Sequence, residues 1–297
     1  MKTLLKEARQ NIPEFDSIWE AFKNALLSEL KRVKPSRVQG FYRYHFIIYN
    51  IDVPPQAFFS SYTTMIDLYV TQNENDYSKI GDDFNQSQVF PNVKLNSEGK
   101  IQNIQTTFKI ATSKNNMLKD VLGEFYHELT HAYEFWEKLT TKGQNGVQGK
   151  PSNVTGHMAY DAKTLRSIIY NNNLSALEKN LAIFYYFVDP SEYQARLNTF
   201  YGQISYEDLS RKTNEKIIES TRVWRQIVFF KNVVDYLNNV NSPSDQQKLM
   251  VIANVMNGNS QKFTNFQMLC DDVESKYTEL VQKSKNDFSE IVDELKR

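Results

Sequence analysis

The chain has 297 residues, and its 35 basic side chains balance its 35 acidic ones. Zero net charge gives no support for nucleic acid or an anionic membrane as a partner, because both attract an excess of Lys and Arg. The single cysteine, Cys270, excludes an intramolecular disulfide.

Patterns in the first 111 residues predict one helix and a small sheet. Apolar residues recur every three or four positions in residues 1–34, which predicts a helix. A polar stretch, 71–92, predicts a loop, and Asn96-Ser97-Glu98-Gly99 predicts a hairpin turn. Three segments rich in aromatic and β-branched residues predict strands: Phe41–Ile51, Tyr62–Val70 and 101–111.

The next segment, Asn116 to Leu139, is predicted to be a helix and contains His127-Glu128-Leu129-Thr130-His131, which has the form H-E-x-x-H. Histidines four positions apart stand one helical turn from each other, so both imidazoles can bind one metal ion. Glu128, between them, can polarise a water on that metal. Both histidines lie off the apolar stripe, so we expect the helix to bury one side and to present the ligands on another.

A glycine-rich loop at 143–156 follows, and from Tyr160 onward the pattern is nearly all helical. We therefore predict an α+β fold with two lobes, an α+β lobe at about 1–142 and a helical lobe at about 157–297. Helix breaks are predicted at five places: Asn171-Asn172-Asn173, Asp189-Pro190, Gly202, Asn241-Ser242-Pro243 and Gly258.

A catalytic zinc site needs three protein ligands and one position open to water. Glu134 follows His131 on the same helix, and three ligands stacked along one helix cannot surround a tetrahedral ion. We expect Glu134 to support a ligand or to face solvent. The downstream candidates are His157, Asp161 and Glu192.

The segment Glu192-Tyr193-Gln194-Ala195, together with the H-E-x-x-H pentapeptide, resembles the gluzincin-type zinc metallopeptidases, in which a later helix carries E-x-x-A. The resemblance implies one catalytic Zn²⁺ held by His127, His131 and Glu192. It also implies a single zincin-like catalytic domain over residues 1–297, with a small N-terminal mixed sheet, an active-site helix and a mainly helical C-terminal lobe. A metzincin is excluded because Glu137 stands where that pattern has its third histidine.

Two observations limit the resemblance. Arg196 stands where several gluzincin families carry an acid that steadies a ligand histidine. Asp189-Pro190-Ser191-Glu192 is also a good helix start, in which Glu192 could cap the helix instead of binding metal.

The resemblance further implies a zinc-dependent metallopeptidase that hydrolyses peptide bonds with Glu128 as general base. In the lethal-factor type of toxin zincin, a tyrosine seven residues before the third ligand donates to the oxyanion, which corresponds to Tyr185 here. Packing in the core is the other interpretation of Tyr185, and Tyr193 and His157 are alternative donors. A peptide or protein substrate would pair with the edge of the strand at 101–111. The alternative function is a catalytically silent zincin-like structural or binding module of a particle or toxin.

The location of the protein is predicted from the absence of two kinds of segment. No run of residues approaches the roughly 20 apolar positions of a membrane span, and the first residues lack the apolar centre of a signal peptide. We expect a cytoplasmic or particle-associated protein, with leaderless export left open. The abundance of Lys, Asn, Tyr and Ile is typical of AT-rich bacterial or phage genomes.

Overall fold

The structure is a computed structural model that describes residues 12–38, 40–51, 53–71, 86–91, 95–142, 162–205, 207–258 and 261–297. Its first elements are α1 (Ile12–Arg32), β1 (Ser36–Val38), β2 (Phe41–Ile51), β3 (Tyr62–Thr71), β4 (Gln86–Pro91), β5 (Ile104–Ser113) and α2 (Met117–Lys142). The later helices are α3 (Ala162–Ile169), α4 (Ala176–Phe187), α5 (Pro190–Ile204), α6 (Asn214–Ser220), α7 (Arg222–Phe229), α8 (Lys231–Asn239), α9 (Pro243–Met256) and α10 (Phe266–Leu295). The fold is therefore mixed α+β, with strands early and helices afterwards.

The chain divides into two compact units that are not continuous in sequence. The first comprises Met1–Val147 and Asn198–Asp208, and the second comprises Gln148–Leu197 and Leu209–Arg297. Helix α5 is unbroken across residue 197, so its first half is grouped with the second unit and its second half with the first.

The first unit contains a five-stranded sheet with the order β1-β2-β3-β5-β4. Strands β3 and β5 are parallel, and the other neighbouring pairs are antiparallel. The predicted strands at Phe41–Ile51, Tyr62–Val70 and 101–111 are thus confirmed, with small differences at their ends. The turn at residues 96–99 is also confirmed, since the backbone N–H of Gly99 donates to the carbonyl of Asn96.

Two expectations about this sheet are wrong. Residues 86–91 lie in the stretch predicted as a loop, yet they form β4 and pair with β5 from Gln86↔Lys109 to Pro91↔Ile104. A strand of this kind is stabilised by its neighbour more than by its own sequence, and proline is tolerated at an edge. As a consequence β5 is paired on both sides, and β4, not the strand at 101–111, lies at that edge of the sheet.

Helix α1 packs on α2 through aromatic side chains. The rings of Phe22 and Phe125 stack with their centroids 5.0 Å apart, and the ring centroids of Trp19 and Phe125 are 5.4 Å apart. Tyr62 and Phe108 of the sheet complete this fully buried cluster. Burial of such rings supplies much of the hydrophobic free energy that fixes α2 in place.

The second unit is helical in its described part, and most of its predicted breaks are confirmed. The interruption at Asp189-Pro190 separates α4 from α5, and Pro243 begins α9 after the cap residue Ser242. The break predicted near Gly202 lies two residues later, where α5 ends at Ile204. Among the described residues, no helix combines the length and apolar character needed to cross a membrane.

Candidate metal centre

Helix α2 is buried on all sides around the H-E-x-x-H pentapeptide. Every residue from 120 to 130 is buried, and His127 and Glu128 are each only 3% exposed. One face packs on α1 and the sheet, whereas the face that carries the histidines packs on the second half of α5. The expectation that α2 buries one side only is therefore wrong, since the ligand side is covered as well.

A pair of glycines sets how closely α5 approaches α2. A Cβ atom on Gly202 would lie 3.2 Å from Cα of Gly123, and a Cβ atom on Gly123 would lie 2.9 Å from Cγ of Gln203. These positions cannot hold a larger residue without displacing one helix. Beside them, Nδ2 of Asn198 donates to Oγ1 of Thr130 over 2.7 Å.

The two histidines point their Nε2 atoms at each other. The Nε2 atoms are 3.2 Å apart, and the two rings are nearly perpendicular, at 86°. Two nitrogen ligands at about 2.0 Å from a tetrahedral zinc ion are separated by about 3.3 Å. The observed separation is therefore close to the edge of a zinc tetrahedron.

The other ring nitrogens face groups that can hold them in this orientation. Nδ1 of His127 lies 3.3 Å from Oγ1 of Thr199, and Nδ1 of His131 lies 3.6 Å from Oε2 of Glu134. Metal-binding histidines usually donate their second N–H to such oxygen atoms. With protons on both Nδ1 atoms, the two Nε2 lone pairs would converge, and a cation bound between them would relieve their repulsion. Glu134 thus lies beside His131, and its role in supporting a ligand stays a prediction.

Glu192 is the third member of the cluster. Its side chain is fully buried, and ligand atoms of His127, His131 and Glu192 all lie within 4.8 Å of one another. Because α5 is one continuous helix, the contact of Thr199 with His127 also positions Glu192, two turns earlier. The carboxylate of Asp189 accepts from the backbone N–H of Ser191 over 2.9 Å, so this residue supplies a cap for α5.

Glu128 lies near a chain of hydroxyl groups on the sheet. The Tyr62 hydroxyl lies 2.6 Å from Oγ1 of Thr106, which donates to Oγ1 of Thr64 over 2.9 Å. Burial is the main reason that the pKa of Tyr62 lies far above its usual range, and the negative charge of Glu128 raises this pKa further. Tyr62 is therefore a neutral hydroxyl near the carboxylate at all physiological pH values.

Comparison with known proteins finds no matching family model, no matching curated protein and no matching solved structure.

The tyrosines predicted as oxyanion donors make hydrogen bonds to aspartates. The hydroxyl of Tyr185 donates to Oδ2 of Asp272 over 2.9 Å, and that of Tyr193 donates to Oδ2 of Asp287 over 2.7 Å. Burial raises the pKa of both hydroxyls, and the aspartates raise it further. The donor role of Tyr185 stays a prediction, as does that of Tyr193. His157 and Asp161, the remaining candidates, lie outside the described residues.

Thr199 and Gly202 hold the cluster together, and neither is among the residues that the sequence predicts for the site. A signal was present nonetheless, because Glu192, Ala195, Thr199 and Gly202 follow one another at spacings of three, four and three positions. Such spacing places all four on one face of a helix, and three of them are small enough for close packing.

Proposed function

We propose that the protein is a zinc-dependent peptidase of the gluzincin type, with His127, His131 and Glu192 as metal ligands and Glu128 as general base. The observation that carries the proposal is the convergence of the three ligand side chains within 4.8 Å. Two imidazoles and one carboxylate are a ligand set typical of catalytic zinc. The separation of the two Nε2 atoms supports the same metal.

When bound, zinc would acidify a water molecule and polarise the peptide carbonyl. Glu128, next to His127 in the chain, would take a proton from the attacking water as the new C–O bond forms. It would then deliver this proton to the leaving nitrogen as the C–N bond breaks. Thr199 and Glu134 would hold the two imidazoles in their orientation throughout.

The edge of the sheet offers a place for the substrate. Strand β4 packs against α2, and among the described strands it pairs with β5 alone. An extended peptide can add to such an edge through backbone hydrogen bonds, and peptide bonds of any sequence can do so. We therefore propose an extended segment of a peptide or protein as the substrate.

A second candidate is a zinc site without catalytic activity, in a structural or binding module. The burial of the cluster favours it, since His127 is 3% exposed and Glu192 is fully buried. Structural zinc sites are closed to solvent, whereas catalytic sites keep one open position. His131 is the most accessible of the three ligands, with a side chain that is 17% exposed.

The substitution Glu128→Gln separates the two candidates. We expect purified protein to contain about one equivalent of zinc and the variant to retain it, because Glu128 is not a ligand. The rate at which the protein hydrolyses a peptide library can be measured by mass spectrometry. In the variant this rate should fall by about 10²–10⁴-fold, the range for loss of a general base. The control is Glu137→Gln on the exposed side of α2, which should leave cleavage unchanged.

Other outcomes have distinct meanings. Stoichiometric zinc without cleavage by the wild-type protein would favour the non-catalytic site. Protein that binds no zinc when supplied with it would contradict both candidates.

A further inference from the structure

Arg196 lies one helical turn after Glu192 on α5, directly beside the third ligand. Its Nη2 atom is 3.7 Å from Oε2 of Glu192, and its guanidinium lies over the ring of Phe187, 5.1 Å from the centroid. Nε of Arg196 is buried and makes no hydrogen bond to any described residue. The guanidinium is thus held by an aromatic ring and by the carboxylate. Only 14% of the arginine side chain is exposed.

Arg196 brings one positive charge to this position. Its neighbour Glu192 is fully buried, so water screens the pair weakly. Without a metal ion, the positive charge of Arg196 offsets the cost of burying the carboxylate. With a divalent cation bound to Glu192, the same charge repels that cation at close range.

We propose that Arg196 is a built-in counter-ion of Glu192 that stabilises the metal-free site and weakens the binding of a divalent cation. This inference rests on the proposed metal centre and goes beyond it. It assigns Arg196 a positioning role, since it acts on the metal through Glu192. An acid at the same place would have the opposite effect on the cation.

Zinc affinity of Arg196 variants tests the proposal. We expect Arg196→Gln to bind zinc about ten-fold more tightly than the wild-type protein in competition with a chelator of known affinity. Arg196→Lys keeps the charge and should stay within about three-fold of wild type. Arg32→Gln, which removes a charge at an exposed site on α1, should change nothing. Unchanged or weaker binding by Arg196→Gln would overturn the proposal, as would equal behaviour of the Gln and Lys variants.

A double-mutant cycle on the metal-free protein gives a second measurement. Glu192→Gln leaves Arg196 without its counter-ion, whereas Glu192→Gln with Arg196→Gln removes both charges. We expect the double variant to unfold at a higher temperature than Glu192→Gln alone, and additive effects would contradict the pairing. If the wild-type protein binds no zinc, the proposed function fails. If it binds zinc and the cycle shows no coupling, only the role of Arg196 fails.

Discussion

Each histidine of the proposed metal centre has a contact at Nδ1, on the side of the ring that faces away from the other histidine. Thr199 contacts Nδ1 of His127, and Glu134 contacts Nδ1 of His131. A neutral hydroxyl and a charged carboxylate make the two ligands unequal, because only the carboxylate increases the electron density of its imidazole appreciably. His131 is therefore expected to be the stronger donor to the metal.

Tyr185 offers the sharpest test at the scale of single residues, because its two interpretations predict different results for Tyr185→Phe. If the hydroxyl serves packing, loss of its bond to Asp272 should lower the free energy of unfolding by about 1 kcal/mol and leave kcat unchanged. If it donates to the oxyanion, kcat should fall by about 10²–10³-fold. We expect the first result, since the hydroxyl already donates to a carboxylate.

Urea unfolding and steady-state hydrolysis measure the two quantities. Tyr69→Phe is the matched control, because it also removes a bond to an aspartate, Asp67, from a tyrosine that is not a candidate donor. A fall in kcat confined to Tyr185→Phe would contradict the packing interpretation.

Helices α2 and α5 act as a pair because their backbones touch at two glycines. The contact between Gly123 and Gly202 fixes the distance of the helices, and the bond from Asn198 to Thr130 fixes their rotation. Thr199 of α5 is thereby held against His127 of α2, a contact that neither helix supplies alone.

Gly202→Ala should disturb this helix pair. Alanine normally stabilises a helix by about 0.5–1 kcal/mol relative to glycine. Here its Cβ would lie 3.2 Å from Cα of Gly123 and from the carbonyl oxygen of Leu122, so we expect a loss of about 1–3 kcal/mol instead. Zinc affinity should fall as well, because α5 also carries Glu192. Chemical denaturation and chelator competition measure both effects.

The control is Gln194→Ala, a half-buried site on the same helix, which should cost about 0.5 kcal/mol or less. A Gly202→Ala variant with greater stability than wild type would show that the helices can separate freely.

The sequence was informative where an element carries its own pattern. Strands β2 and β3 and helix α2 were predicted within a few residues because their apolar periodicity is local. Strand β4 was not predicted because its stability comes from pairing with β5. The burial of the histidines was not predicted because residues 198–204, which are distant in the sequence, pack over them. In the candidate site, the motif and the resemblance named His127, His131 and Glu192, and the structure brings these three side chains together. The close approach at Gly202 could not be predicted, because it depends on a partner helix about 80 residues away in the sequence.

For the molecule as a whole, metal binding and folding should be linked. An ion that binds only the folded chain raises the free energy of unfolding by about 2.7 kcal/mol when its free concentration is one hundred times its Kd. For wild-type protein in zinc at that concentration, excess EDTA should therefore lower the free energy of unfolding by about this amount. Urea titrations with and without chelator measure the difference.

The variant His131→Gln is the control, since it lacks one of the three ligands. We expect its stability to be nearly independent of EDTA. An equal effect of EDTA on both proteins would indicate that the chelator acts elsewhere.

Helix α5 runs unbroken through residue 197, and this limits where the chain can be divided into fragments without cutting the helix. A fragment that ends before residue 198 keeps both histidines but loses Thr199 and Gly202. The complementary fragment carries Thr199 and Gly202 but none of His127, His131 and Glu192. The first fragment has the three residues of the cluster without the half of α5 that packs on α2, and the second has none of the three, so truncated clones should be inert in screens even when they express well. Complementation of two co-expressed fragments, split between residues 143 and 161, keeps α2 and α5 each intact.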